Sequence, residues 1–236
     1  MSALSFLSSY VLFILVKLPP PNLSGIAVVP NEEHLDDPAL HEGRTRSFPH
    51  VRGNWTTFVF IKCDQEIHYI IEKVKKYLDV TLNEPCNICE DIHISLSKTI
   101  VLKFHLIDPF TRSLHEVLKK TDRYMQLYSV KIYCNDEQTR TFVALELDYF
   151  SQRSLSKLTE KLRQKILILD TFLLFQDPSF HMSILWVKGD KRNQILKTLS
   201  SLNDIVNQEI GKKLKTITIN KINCKSGNKY FQYLLD

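Results

Sequence analysis

Two five-residue stretches share one pattern that restricts the fold more than any other feature of the chain. They are Ile92-His93-Ile94-Ser95-Leu96 and Phe180-His181-Met182-Ser183-Ile184. In both, apolar residues alternate with His and Ser, the period of a half-buried β-strand. Side chains two apart on a strand share a face. His93 and Ser95 therefore point one way while Ile92, Ile94 and Leu96 enter a core, and His181 and Ser183 do the same against Phe180, Met182 and Ile184. With eight His and 18 Ser in 236 residues, chance places fewer than one H-x-S in such a chain. Spacing alone leaves each stretch readable as a sheet-surface His beside a hydroxyl. The same strand context repeated 88 residues later implies two similar lobes, each giving half a site.

The elements around these stretches mix strands and helices without a regular βαβ repeat. The run Thr56–Cys63 alternates and is rich in β-branched and aromatic residues. Ile67, Ile70, Ile71, Val74, Tyr77 and Leu78 then recur at helical spacing, with Asp64 placed as N-cap. A helix is expected over 107–125, with Asp108 at Ncap and Pro109 at N1. A hairpin of strands 127–134 and 141–148 follows, turning at Asn135-Asp136-Glu137. Helices over 151–169 and 190–209 flank the second H-x-S strand. Strands 214–224 and 228–235 close the chain around Lys225-Ser226-Gly227-Asn228. The reading is α+β with antiparallel sheets.

Charge divides the chain. Residues 1–45 carry two basic and five acidic residues, a net of −3, whereas residues 46–236 carry 29 basic and 21 acidic, a net of +8. The basic part suits a polyanion such as nucleic acid, and equally an ordinary solvated surface. Residues 19–50 hold scattered Pro and acidic residues without periodicity and read as linker. Ala3 to Val16 is an apolar run too short to cross a bilayer. Residues 1–45 are thus expected to be a leader outside the fold, with no stable membrane insertion, and 46–236 the folded domain.

Five cysteines in a long chain do not make a disulfide framework. Cys86-x-x-Cys89 followed by His93 has the spacing of half a zinc site, without a second pair to complete it. No metal or other cofactor is expected.

Two imidazoles and two hydroxyls suffice for one reaction in particular. Cleaving RNA by its own 2′-OH requires a neutral imidazole to accept that proton and an imidazolium to protonate the departing 5′-oxygen. Hydroxyls can donate to the phosphoryl oxygens where charge builds up. A non-catalytic RNA-binding module, a cyclic phosphodiesterase and an RNA end ligase remain as alternatives on the same residues.

The paired H-x-S strands resemble those of the two-histidine (2H) phosphoesterase superfamily. Longer stretches, RSFPHVRGNWTTFV (46–59), KIYCNDEQTRTFVALEL (131–147), FQDPSFHMSILW (175–186) and NCKSGNKYF (223–231), are similar to the branch that trims the 3′ end of U6 small nuclear RNA. The resemblance implies two pseudosymmetric lobes with the site in the cleft between them. It also implies catalytic His93, Ser95, His181 and Ser183, and 3′-to-5′ removal of terminal nucleotides without a metal, leaving a 2′,3′-cyclic phosphate or a 3′-phosphate. Phe175 stands where that branch usually has a Tyr that stacks on a base, and Gln176 beside it is expected to bind substrate. A monomeric nuclear protein acting on uridine-rich RNA is what this implies. Lys225, Asn228 and Lys229 fit either turn chemistry or phosphate contact.

Overall fold

The computed structural model describes residues 51–63, 67–118, 121–166, 179–213 and 216–235. Strands in these residues join in one antiparallel sheet, ordered β10-β9-β1-β3-β7-β6-β5-β8. Its members are β1 (Asn54–Lys62), β3 (His93–Ser95), β5 (Tyr124–Cys134), β6 (Arg140–Leu147), β7 (His181–Lys188), β8 (Thr216–Thr218), β9 (Lys221–Ser226) and β10 (Lys229–Leu234). Two short strands lie off this path: β2 (Asn87–Ile88) pairs with β7, and β4 (Ile100–Lys103) with β1. The helices are α1 (His68–Leu82), α2 (Phe104–Leu118), α3 (Tyr149–Ile166), α4 (Arg192–Leu196) and α5 (Leu199–Lys213). The α+β reading holds, and the three-residue β3 lies between β1 and β7.

Alternation sets which way each strand faces. Val59 and Ile61 of β1, Ile94 of β3 and Met182 and Ile184 of β7 are buried in one core. The helices add Ile70, Ile71, Val74 and Leu78 from α1, Phe110 and Leu114 from α2, Leu155 and Leu158 from α3, and Leu202 and Val206 from α5 to the same core. Burying such stripes, at about 1.5–3 kcal/mol for each large aliphatic side chain, is what holds helices to sheet.

Several boundaries differ from the sequence reading, each for a visible reason. The cap of α1 is Ile67, not Asp64, which lies outside the described residues. Ile67 is 2% exposed and makes no side-chain cap, so its apolar burial decides where the helix begins. α2 starts at Phe104, directly after β4, and Pro109 sits inside it rather than at N1. Only one turn precedes Pro109, so its missing N–H forfeits little of the helix's bonding. α3 starts at Tyr149 because Asp148 caps it, its Oδ1 accepting from the Ser151 N–H at 2.9 Å. The helix expected over 190–209 is broken between α4 and α5, where Thr198 Oγ1 donates to the Ile195 carbonyl at 2.8 Å and competes with the backbone ladder.

The strand expected over 214–224 is two strands with different partners: β8 pairs with β5, and β9 with β1. Laid flat, the six strand spacings from β9 to β8 span about 29 Å. Yet Thr218 and Lys221 are three Cα steps apart, at most about 11 Å. The sheet must therefore bend back on itself, bringing its two ends together.

Candidate active site

The two H-x-S strands are neighbours. Ile94 of β3 lies opposite Met182 of β7 in an antiparallel pair. That register sets His93 opposite Ser183 and Ser95 opposite His181, with all four side chains on the face away from the core. Directly opposed side chains are about 5 Å apart, and diagonal ones about 7–8 Å at the backbone. The two imidazoles occupy diagonal corners, separated by the room a phosphodiester needs. The structure thus brings together all four residues singled out in the sequence. Phe175 and Gln176 lie outside the described residues.

Both histidines are held the same way. His93 Nδ1 is 2.8 Å from the Asp91 carbonyl, and His181 Nδ1 is 2.7 Å from that of Ser179. A carbonyl oxygen only accepts, so in each ring Nδ1 must carry the proton. This leaves Nε2 of each ring free to take or give one, the arrangement a general base or acid requires. Neither Ser95 nor Ser183 spends its hydroxyl on a partner among the described residues, and both keep some exposure.

Aromatic rings from flanking strands fix the imidazole planes. The edge of one ring meets the other between Phe60 of β1 and His93, with centroids 5.4 Å apart. Tyr133 of β5 stacks on His181 at 4.0 Å and 24°. Around His181 a further network closes. Tyr133 Oη lies 2.9 Å from Ser179 Oγ, and Lys131 Nζ donates to Ser179 Oγ at 3.1 Å and to Glu146 Oε1 at 2.9 Å. Ser179 is the residue whose carbonyl holds His181, so this network sets the ring's position. Glu146, opposite His181 in register, keeps Lys131 firmly charged through their hydrogen bond.

Burial holds the His181 pKa below the ordinary imidazole value, with the Lys131 cation and the other histidine adding to the effect. The Ser179 carbonyl and Glu146 oppose it without reversing it.

Sequence reading missed Phe60, Tyr133, Lys131 and Glu146. A signal existed: Lys131 and Tyr133 alternate with the chain so as to share a face, as do Phe60 and Lys62. What the alternation lacked was the strand order that brings that face to the histidines.

The half-site of Cys86 and Cys89 has a different role. β2 pairs with β7 through Asn87–Trp186 and Ile88–Leu185, and Cys86 is a buried core thiol. Burial, with the Asp79 carboxylate adding, pushes that thiol up to about 12. Among the described residues, no three His, Cys, Asp or Glu side chains converge as a metal-holding group.

Comparison with known proteins places this geometry in context. A family model, HVSL, described as an uncharacterised conserved protein, matches residues 17–233. Among curated proteins, U6 snRNA phosphodiesterase 1 of Mus musculus is 37% identical over 227 residues, covering 91% of this chain and 82% of the relative. The protein of the same name from Homo sapiens is 36% identical over 208 residues, covering 83% of this chain and 75% of its own length. The one from Drosophila melanogaster is 34% identical over 212 residues, with 86% and 79% covered. Among solved structures, Kluyveromyces marxianus Usb1 superposes with a TM-score of 0.55 at 14% identity, covering 79% of this chain and all of that one. The same protein with uridine monophosphate gives 0.54, also at 14% identity, covering 78% of this chain and 99% of that one. At that identity the likeness is one of fold.

Proposed function

This chain belongs to the HVSL family, together with the U6 snRNA phosphodiesterases it matches along most of its length, and from that premise we propose that it is an RNA phosphodiesterase shortening uridine-rich 3′ ends such as that of U6 small nuclear RNA. The observation that carries the mechanism is the antiparallel juxtaposition of two H-x-S pairs, each imidazole with its Nε2 free.

One imidazole, neutral, accepts the proton of the 2′-OH at Nε2. The 2′-oxygen forms a bond to the adjacent phosphorus, and the bond from phosphorus to the 5′-oxygen of the terminal nucleotide breaks. The other imidazole, protonated, gives its Nε2 proton to that oxygen. Ser95 and Ser183 donate to the non-bridging oxygens, where negative charge concentrates in the transition state. The shortened RNA keeps a 2′,3′-cyclic phosphate, which water converts to a 3′-phosphate where the ring is opened. His93, Ser95, His181 and Ser183 carry this chemistry. Phe175 and Gln176, outside the described residues, serve to hold a base. The protein acts as a monomer in the nucleus, where this class of RNA is processed.

A uridine-tailed oligoribonucleotide tests the reading, with products identified by mass spectrometry. Loss of single 3′-terminal nucleotides with a cyclic phosphate or 3′-phosphate on the remaining strand is expected, and it should proceed in EDTA because acid, base and oxyanion donors are all protein groups. A 2′-deoxy sugar on the attacking nucleotide should stop it. Trimming of all-DNA strands at a similar rate would refute attack by the 2′-oxygen.

A further inference from the structure

The face that carries the histidines continues outward from β3 across β1, β9 and β10, and it is not blank. In register, Phe60 lies opposite both Ser95 and Asn223, and Asn223 opposite Gln232. Lys62 lies opposite His93. One row further along, Phe58 lies opposite Lys225, and Lys225 opposite Tyr230. Phe58 and Phe60 stack at 5.1 Å and 28°, and Tyr230 meets the edge of Phe60 at 6.2 Å. Aromatic rings and lysines thus alternate across three strands next to the H-x-S pairs.

Three details separate this surface from an ordinary solvated sheet face. Lys62 and Lys225 are exposed, and neither meets a carboxylate among the described residues, whereas Lys131 on the other flank is already engaged by Glu146. Tyr230 remains 48% exposed, and its hydroxyl donates to Asn223 Oδ1 at 2.9 Å, which locks the ring in place. Gln232 Nε2 donates to the same oxygen at 3.2 Å, yet the fully buried Asn223 leaves its own Nδ2 with no partner. Native structures rarely leave such a donor unsatisfied.

We propose that the β1–β9–β10 face is a second RNA-binding platform, taking the single strand upstream of the phosphodiester being cleaved. This rests on the RNA-cleaving reading above. Unpaired lysines interleaved with π-faces are what a single strand requires: cations for the backbone, and rings on which any base can stack. Lys62, one strand from His93, lies on the path of the chain leaving the site, and Lys225 receives the next phosphate. Tyr230, three strand spacings or about 14 Å from β3, offers its face to a base well beyond the reacting centre. The other flank is a poorer exit, because its lysine is already paired with Glu146 and its Tyr133 ring is stacked on His181.

The test is binding, so that it does not depend on turnover. A 5′-labelled five-residue oligouridylate with a 2′-deoxy sugar at the attacking position, and the matching dinucleotide, are titrated against the full chain by fluorescence anisotropy. Unmodified RNA run in parallel reports cleavage separately. Tyr230→Ala should weaken the pentamer by roughly 5- to 150-fold, the range of one lost base stack, and leave the dinucleotide unchanged. Tyr230→Phe, which keeps the ring, should bind the pentamer nearly as the parent does. Lys225→Ala, at an exposed position, should lower the salt dependence of pentamer binding by about 0.7 in log–log slope, the share of one phosphate contact on a single strand. Pentamer affinity and salt slope unchanged in both Ala variants would overturn the platform. So would an equal loss for pentamer and dinucleotide. Absent cleavage of unmodified RNA alongside the expected binding losses would count against the catalytic reading alone.

Discussion

Removing the Tyr133 ring isolates what the protein adds to one imidazole. The ring lies 4.0 Å from His181, nearly parallel to it, and its hydroxyl bonds Ser179, whose carbonyl fixes the His181 tautomer. An aromatic pair of this kind contributes about 0.5–1.5 kcal/mol beyond simple burial. If that energy is spent holding the ring in its reactive pose, Tyr133→Ala should lower kcat by about 2- to 13-fold with KM nearly unchanged. The pKa should move too. Burial is the largest cause of the depressed His181 pKa, so admitting water beside the ring should raise it towards 6.5. The sign carries over to stability. A histidine with a depressed folded pKa binds its proton less readily folded than unfolded, so the fold loses stability as pH falls through 6.5. Tyr133→Ala should make that loss shallower. Following the His181 ring proton by NMR from pH 4 to 8, with kcat measured alongside, checks both. Tyr133→Phe should retain the pKa shift and most of the rate. A His181 titration and kcat identical to the parent in Tyr133→Ala would refute the bracing role.

Two other perturbations have definite outcomes. His93→Ala and His181→Ala should each lower kcat by about 10²–10⁴ while the melting temperature stays close to that of the parent, and the double variant should be little slower than either, since acid and base act in one step; strictly multiplicative losses would refute their coupling. Gly227→Ala should lower the melting temperature by several degrees, because Gly227 has φ +56° and an added Cβ would come within 2.6 Å of Trp55 Cε3; an unchanged melting curve would show that the β9–β10 turn yields at no cost.

How far the sequence could be read depended on what each feature rests upon. The H-x-S strands were legible because alternation at Ile94, Leu96, Met182 and Ile184 is imposed by burial, which a single strand records by itself. The stripe of α1 was legible for the same reason. Illegible were features created by partners distant in sequence. Nothing local says that β4 runs straight into α2, because Asp108-Pro109 carries a genuine helix-start signal that the buried stripe of Ile107, Phe110 and Leu114 overrides. Nothing local divides 214–224 into strands at opposite ends of the sheet order. The supports of His181 were hidden likewise: Tyr133 and Lys131 precede it by some fifty residues, and only the strand order β5-β6-β7 brings them to it.

That strand order also governs when a newly made chain can work. β1 is the earliest described strand, and its outer edge is covered by β9, which includes Ser226. On its inner edge β3 has to wait for β7. At about 5–20 residues per second, a ribosome needs roughly 7 to 26 s to add the residues between Ser95 and Ser226. During that interval β1 keeps its outer edge open, and β3 keeps its own edge open, with no second histidine beside it, until β7 is made. A nascent chain therefore lacks the paired imidazoles until β7 is complete, and the sheet beside them gains β9 and β10 only later. The same delay leaves the alternating, apolar β1 exposed to pairing with other unfinished chains, so a shielding chaperone should matter more to the yield of this protein than to its final stability.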